Sequence, residues 1–160
     1  MYYLRKKYKP KKKDDGCPLF DAVGVKVKKK PDLAKKLDKV FSEYIRMRDV
    51  MPNGCFKCIS CGQIKLYSKA DAGHYHSRRH MATRWDEKNV HVECSYCNRF
   101  SADHLDKFRE NLIKKIGQDE FDALAKRAMR SVHYFDFELE EMIEEYKAKL
   151  KALKKEKPIK

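Results

Sequence analysis

The chain has 160 residues, of which 38 are lysine or arginine and 24 are aspartate or glutamate, so its formal net charge is +14. This length suits one compact domain with extensions and excludes a multi-domain machine. No apolar run of about 18 residues and no apolar stretch behind a basic N-terminus occurs, so we expect a cytoplasmic protein without a membrane span or signal peptide. The surplus of positive charge indicates a polyanionic partner.

The N-terminal residues 1–30 have the composition of a basic arm and linker. Residues 1–13 contain seven lysines and arginines and no acid, ending in the run Lys11, Lys12 and Lys13. A segment of this kind cannot bury enough apolar surface to fold, so we expect it to be disordered.

The remaining chain is predicted to be an α+β domain over residues 31–132, followed by an amphipathic helix within 133–160. From Leu33 to Ile45 the apolar residues recur at helical spacing, and short strands are expected at Phe56–Ser60, Ala72–His76 and Val90–Glu93. A helical pattern resumes at Leu105, and Gly117 separates it from a second helix. The last helix is expected to begin at about Asp136.

Four of the six cysteines form two C-x-x-C pairs, Cys58 with Cys61 and Cys94 with Cys97. In a reducing compartment these thiols favour metal binding over disulfides. Two such turns supply the four thiolates of a tetrahedral zinc site, and such a closed site stabilises the fold and performs no catalysis. Cys55 and Cys58 also form a C-x-x-C pair, which stays open as an alternative first pair.

The insert between the two cysteine pairs is rich in residues that suit phosphodiester chemistry. It contains four of the six histidines, His74, His76, His80 and His91, together with Asp71 and Asn89, and Asn98 follows the last cysteine. Together they offer a neutral base and oxygen ligands for a hard divalent cation.

These residues resemble a known family. A histidine on a first strand, an asparagine opening a second strand and a following helix, all bracketed by C-x-x-C pairs, look like the HNH, or ββα-metal, nuclease superfamily. The segments Asp71-Ala72-Gly73-His74-Tyr75, residues 84–91 and Cys94-x-x-Cys97-Asn98-Arg99-Phe100 more specifically resemble the NinG (Rap) family of phage recombination endonucleases. The resemblance spans about residues 33–129. It implies a small zinc-bracketed HNH-like core flanked by helices and a metal-dependent endonuclease that nicks branched DNA recombination intermediates, such as Holliday junctions and D-loops.

The resemblance also implies roles for individual residues. His74 occupies the position of the general base, and Asn89 would hold its imidazole or the loop that carries it. Asn98 matches a ligand of the catalytic ion, which is expected to be Mg²⁺ or Mn²⁺. Many HNH enzymes have a ligand directly before the base, but this chain has Gly73 there. Asp71 is therefore the preferred second ligand, with His91 as the reserve.

Further residues are expected to contact the DNA or to support the fold. Phosphate contacts are predicted for Arg78, Arg79, Arg84, Arg99, Lys11, Lys12 and Lys13. Trp85, the only tryptophan, is expected to pack in the small core, with wedging against an unstacked base as the alternative.

Two other functions compete with the nuclease. A zinc-stabilised DNA-binding module without activity would need only the basic arm, the cysteines and the arginines, whereas His74, Asn89 and Asn98 together favour an enzyme. An adaptor that binds proteins through its C-terminal helix is the third. Symmetric cutting of a four-way junction would suit a homodimer, and the resemblance suggests recombination proteins of the bacterial host as partners.

Overall fold

The computed structural model describes residues 32–101 and 103–157. Within them the chain runs through helix α1 (Leu33–Asp49), strands β1 (Cys55–Lys57), β2 (Ile64–Leu66), β3 (Ala70–His74) and β4 (Val90–Cys94), and helices α2 (Ser95–Phe100), α3 (His104–Ile116), α4 (Gln118–Ala128) and α5 (Asp136–Glu156). Short 3₁₀ turns lie at Tyr67–Lys69 and Met81–Thr83. The α+β prediction is confirmed. The arm at 1–30, including Lys11, Lys12 and Lys13, lies outside the described residues.

The strands form two small antiparallel hairpins. β1 pairs with β2, and β3 pairs with β4 in a register that sets Asp71 opposite Glu93, Gly73 opposite His91 and His74 opposite Val90. The apolar pattern did not predict β2, because the strand Ile64–Leu66 is shorter than the roughly four to eight residues over which strand alternation is recognised.

Helix α1 begins at a side-chain cap. Asp32 is its N-cap, and the carboxylate accepts a hydrogen bond of 3.0 Å from the backbone nitrogen of Lys35. Such a cap satisfies one of the free backbone N–H groups at the start of a helix. The apolar stripe thus begins with the first residue of the helix, Leu33, directly after its cap.

The main core joins the two ends of the described chain. Helix α1 packs against α5 and against both strands of the β3–β4 hairpin, burying Leu37, Phe41, Ile45, Trp85 and Ile143 almost completely. Full burial of one such side chain contributes about 1.5–3 kcal/mol. Trp85 therefore belongs to the core, as predicted, and its indole nitrogen donates to Asp38 at 2.9 Å.

Two smaller cores complete the fold. One surrounds the cysteines and contains Phe56, Ala70 and Val92, while the other lies between α3 and α4 and contains Phe108, Leu112 and Leu124. Gly117 separates α3 from α4 with a φ of +84°, in the left-handed half of the backbone map where glycine is favoured. Among the described residues, no helix is both long and apolar enough to cross a membrane.

Candidate functional site

The fold brings the four cysteines of the two predicted pairs together. The sulfur atoms of Cys58, Cys61, Cys94 and Cys97 all lie within 4.8 Å of one another. Within the described residues, no other three or more His, Cys, Asp or Glu side chains come together in this way. Cys55 is outside the cluster. The first pair is therefore Cys58 with Cys61, and the alternative pair, Cys55 with Cys58, is excluded.

Backbone contacts hold the first C-x-x-C turn, Cys58 to Cys61, in the conformation that brings its sulfurs to the cluster. The backbone nitrogen of Gly62 donates to the carbonyl oxygen of Cys58 at 2.9 Å, and Gly62 has a φ of +70°. The backbone nitrogen of Cys94 contacts the Cys58 sulfur at 3.3 Å. These contacts tie the turn after β1 to the end of β4.

Burial makes two of the clustered thiols hard to ionise on their own. It raises the pKa of Cys58 to about 11, and burial together with the neighbouring Cys94 and Cys61 raises the pKa of Cys97. Although burial opposes it, hydrogen bonds from Cys97 and Cys58 lower the pKa of Cys94. Four sulfurs this close can become thiolates together only where a cation offsets their charge. The donor set therefore fits a soft or borderline metal ion held at a closed, four-sulfur site.

His74 lies at the end of β3 and is anchored on one side. Its Nε2 is 3.0 Å from the carbonyl oxygen of Arg84. A carbonyl only accepts, so we assign the proton to Nε2 and the lone pair to Nδ1. Burial lowers the pKa of His74, although backbone hydrogen bonds to Arg84 and Ala72 oppose the shift. The imidazole is thus held neutral, in the state that a general base requires.

Asn89 holds the loop that follows His74. Its side chain is fully buried, accepts from the backbone nitrogen of His76 at 2.7 Å, and donates to the carbonyl oxygens of His76 and Thr83 at 2.9 Å each. Of the two roles expected for Asn89, these contacts correspond to holding the loop and not to touching the imidazole.

Asp71 and Asn98 meet between β3 and α2. The amide nitrogen of Asn98 lies 3.2 Å from a carboxylate oxygen of Asp71, and the guanidinium of Arg99 pairs with the same carboxylate at 2.9 Å. The two residues proposed as oxygen ligands are therefore neighbours in space. A rotation of the Asn98 amide would turn its oxygen toward Asp71, since the two ends of an amide are nearly equivalent in shape.

His74 and Asp71 point away from each other. They are three residues apart on β3, and successive side chains of a strand alternate between its faces. About 10 Å of extended backbone also separates their Cα atoms. Within the described contacts, no hydrogen bond joins His74 to Asp71 or to Asn98.

His91 belongs to a different network. Its Nδ1 lies 3.0 Å from both the Arg48 guanidinium and the Lys115 ammonium, and its Nε2 lies 3.2 Å from the carbonyl oxygen of Lys88. Burial lowers the pKa of His91, although Asp49 opposes this, so the imidazole is neutral and Nδ1 accepts from the two cations. His91, the reserve ligand, is thus buried, and both of its ring nitrogens already have hydrogen-bond partners. It borders a cavity of about 510 Å³ that Asp49 and Lys115 also line.

The predicted phosphate-contacting arginines fall into two groups. Arg78 and Arg79 are exposed on the loop after β3, and among the described residues neither forms an ion pair. Arg84 forms two hydrogen bonds with Asp38, at 3.0 and 2.6 Å, and stacks over Trp85 at 5.1 Å. The guanidinium of Arg99 is exposed but paired with a carboxylate, that of Asp71. The first two can therefore offer their guanidinium groups to a ligand, whereas Arg84 helps to hold the fold.

A buried polar cluster around Glu93 is absent from the sequence-based predictions. This fully buried carboxylate accepts hydrogen bonds from Ser60 and from His104, the latter at 3.0 Å. Its second oxygen has no hydrogen-bond partner among the described residues and faces Gly73, where an added Cβ would collide with it. The signal in the sequence is a glutamate between the apolar residues Val92 and Cys94 of β4.

The geometry defines a small α+β protein with a cluster of four cysteines, whose sulfurs fit a metal site, beside a polar strand pair. The family model described as Bacteriophage Lambda NinG protein matches residues 6–156, so the chain belongs to the NinG family of phage proteins.

Curated relatives agree with this assignment. The chain is 33% identical over 122 residues to "Protein ninG" of Escherichia phage lambda, covering 75% of the chain and 56% of that protein. It is 32% identical over 124 residues to "Protein ninG" of Salmonella phage P22, covering 75% and 57%. With the protein of the same name from Escherichia phage 933W it shares 34% identity over 91 residues, covering 56% and 43%. The matched regions span about half the length of these relatives, and no solved structure matches the chain significantly.

Proposed function

We propose that this protein is a metal-dependent, structure-specific endonuclease that nicks branched DNA recombination intermediates. The observation that carries the proposal is the anchored His74. Its Nε2 contact with the Arg84 carbonyl fixes the tautomer and ring orientation, while burial lowers its pKa. A neutral imidazole held in one tautomer is the state that a general base requires.

In this mechanism, Nδ1 of His74 takes a proton from the water that attacks the phosphorus, the P–O bond to the 3′-oxygen breaks, and the departing oxygen takes a proton from solvent. Asn89 supports this by fixing the backbone of the following loop through its hydrogen bonds to His76. Arg78 and Arg79, exposed on that loop, are placed to contact the flanking phosphates.

Asp71 and Asn98 are the residues that would hold the catalytic divalent ion, which is expected to be Mg²⁺ or Mn²⁺. One carboxylate and one amide oxygen with several waters suit Mg²⁺, which is often bound by few protein ligands. When bound, such an ion neutralises charge on the transferred phosphate. Because Asp71 and His74 point to opposite faces of β3, the proposed ion ligands stand apart from the proposed base, and Asp71→Ala tests them separately from His74→Ala.

The four-cysteine cluster is proposed to bind one structural Zn²⁺. Zinc prefers four thiolates at about 2.3 Å in a tetrahedron, and the sulfurs already lie within 4.8 Å of one another. Four sulfur ligands would fill all the coordination positions of the ion and leave none for water. The site would therefore be structural and would hold β1, β4 and α2 together.

The alternative is a zinc-stabilised DNA-binding module without activity. The ion pair between Asp71 and Arg99 favours it, because a carboxylate engaged with an arginine is already neutralised without an ion. The net charge of +14 serves DNA binding in either case.

Incubation of the purified protein with a labelled four-way junction and a matching linear duplex, with and without Mg²⁺, tests the proposal. We expect Mg²⁺-dependent nicks confined to the junction. His74→Ala should slow their formation by about two to four orders of magnitude, and His133→Ala, at an exposed histidine, serves as the matched control. Tight junction binding without any cleavage by the wild-type protein would establish the binding module instead.

A further inference from the structure

Helix α2 exposes two large aromatic rings on the surface beside the candidate ion ligands. Tyr96 is 65% exposed and Phe100 is 75% exposed. They are one helical turn apart, and their ring centroids lie 6.3 Å from each other at an interplanar angle of 38°. We call them the α2 aromatic pair. Rings this exposed contribute little to the core, because most of their apolar surface remains in water.

Lysines lie beside Tyr96 of the α2 aromatic pair. A shallow cavity of about 210 Å³ adjoins Tyr96 and is also lined by Lys65 and Lys107. Arg99, exposed on the same helix, lies between the two rings in sequence. Exposed aromatic rings bordered by lysine and arginine are the arrangement by which proteins bind unpaired nucleotides, since the rings stack on bases and the cations meet phosphates.

The α2 aromatic pair also lies close to the residues proposed to hold the catalytic ion. Asn98 is on the same short helix and contacts Asp71 on β3. A DNA strand bound by these rings would therefore pass directly beside the residues proposed to hold the catalytic ion. Trp85, the wedge residue considered from the sequence, cannot do this because it is 5% exposed in the main core.

A second exposed aromatic pair shows what makes the first one suitable. Phe135 and Phe137 are 62% and 66% exposed and stack with their centroids 6.0 Å apart. They alternate in sequence with Asp136 and Glu138, whose carboxylates repel phosphates. The exposure is similar, but the charge around the rings is of the opposite sign.

We propose that Tyr96 and Phe100 stack on the base faces exposed at the branch point and so make the protein select branched over linear DNA. The substrate class in this inference rests on the proposed function. In a linear duplex, neighbouring base pairs cover both faces of each base, whereas the base pairs that border an open branch point each present one free face. The rings can therefore gain stacking energy only on the branched substrate.

The test is a binding measurement without Mg²⁺, so that it does not depend on cleavage. Fluorescence anisotropy would compare a four-way junction with a matching linear duplex for the wild type, Tyr96→Leu, Phe100→Leu and the double variant. Leucine keeps apolar bulk and helix propensity but removes the aromatic face. We expect each substitution to weaken junction binding about 5-fold to 100-fold, the range of base–aromatic stacking, and to change duplex binding less than about 2-fold.

Matched variants separate the loss of stacking from a loss of fold or of apolar surface. Tyr96→Phe keeps the ring and should bind the junction like the wild type, and the Phe135→Leu, Phe137→Leu double variant should also be unchanged. A 2-aminopurine base at the branch point should be quenched by the wild type and less so by Phe100→Leu. All variants should retain wild-type circular dichroism and metal content, because both rings lie outside the core.

Three results would overturn the inference. Equal losses on junction and duplex would make the pair a general DNA contact, and unchanged junction binding in the double variant would remove it from the interface. Unchanged binding with a shift to a smaller oligomer would show that a second copy of the chain covers the rings. If the wild type fails to cleave but the junction-specific losses are seen, the nuclease proposal fails while the stacking inference stands.

Discussion

The imidazole Nε2 of His74 lies 3.0 Å from the carbonyl oxygen of Arg84, ten residues further along the chain. The same Arg84 binds Asp38 of α1 through its guanidinium at 2.6 Å. The orientation of the proposed base is therefore set by a backbone group whose own residue is tied to the main core. A residue that is positioned in this way can be tested separately from the stability of the fold.

Replacement of His74 by alanine should slow cleavage of a four-way junction by about two to four orders of magnitude, the usual contribution of one positioned base. Single-turnover rates at saturating protein would measure this. Junction affinity, metal content and circular dichroism should be unchanged, because His74 is only half-buried. Wild-type rates in His74→Ala would refute its assignment as the base.

The pH dependence of cleavage should follow the lowered pKa of His74. Burial, aided by the positive charge of Arg78 and opposed by the backbone hydrogen bonds to Arg84 and Ala72 and by Asp38, lowers this pKa, so the base stays neutral somewhat below the ordinary value of about 6.5. Single-turnover rates should hold at about pH 6.5 and decline at more acidic pH. Arg78→Gln removes one lowering charge and should move the decline to higher pH, whereas the distant Arg130→Gln should leave it in place.

The same shift has a defined sign for stability. Because the folded-state pKa of His74 is lower than the unfolded value, the unfolded chain binds the proton more readily, and folding free energy is lost as the pH falls below about 6.5. Urea denaturation of the wild type and of His74→Gln, measured at neutral and acidic pH, should show a smaller acid-induced loss for the variant. An equal loss in both would mean that His74 does not contribute.

Replacement of Cys94 by serine should release the metal and unfold the region from Cys55 to Phe100, because this polar segment has only a small core around the cysteines. Cys55→Ser is the matched control, since Cys55 lies outside the cluster. Elemental analysis should find about one zinc ion per chain in the wild type and in Cys55→Ser, and none in Cys94→Ser. Loss of zinc in Cys55→Ser would assign the ligands differently.

Replacement of Gly73 by alanine should destabilise the fold by about 1–3 kcal/mol through overpacking. The new Cβ would lie 3.0 Å from the Cβ of Glu93 and closer still to its carboxylate, which is fully buried and held by Ser60 and His104. Urea denaturation would measure the cost. In a Glu93→Ala background the cost should fall by more than about 0.5 kcal/mol, as expected for residues in contact.

Gly117→Ala is the control for the comparison of Gly73→Ala with and without Glu93→Ala. No atom lies within 4 Å of its added Cβ, and the penalty comes from the φ of +84° alone. Its cost should therefore be the same with and without Glu93→Ala. If Gly73→Ala also proved insensitive to Glu93, backbone conformation and not the carboxylate would explain its effect.

Leu37→Ala should destabilise the protein by about 2–5 kcal/mol, the usual range for a buried leucine. Leu37 is 0% exposed in the core that α1 shares with α5, whereas Leu66 is 65% exposed on β2. Leu66→Ala should thus change the free energy of unfolding by less than about 0.5 kcal/mol. Similar effects of the two substitutions in urea denaturation would contradict the described packing of α1.

Several features of this protein followed from the sequence because they depend on residues close together in the chain. The stripe from Leu33 to Ile45 predicted α1, since a helix repeats about every 3.6 residues. Gly117 predicted the break between α3 and α4. The spacing within each C-x-x-C pair predicted the metal-binding turns, and the observed cluster is the preferred set of four.

The tertiary structure alone decided how distant residues combine. Both Arg84 and Arg78 are arginines near the motif, but only the fold pairs Arg84 with Asp38 and leaves Arg78 exposed. Similarly, Asp71 and His91 are both candidate ligands by residue type. The register of β3 with β4 and the packing of α2 set Asp71 beside Asn98, while α1 and α3 surround His91 with Arg48 and Lys115.

The packing of the last helix, α5, shows why contacts between distant residues could not be predicted from the sequence. The ammonium of Lys157 binds the carbonyl oxygens of Arg48 and Val50 at 3.0 Å each, at the end of α1. These carbonyls lack partners within their own helix, and a lysine more than a hundred residues away satisfies them. Local patterns determine where a helix forms and which face is apolar, but a contact of this kind depends on the path of the whole chain between the two residues, which no local pattern encodes.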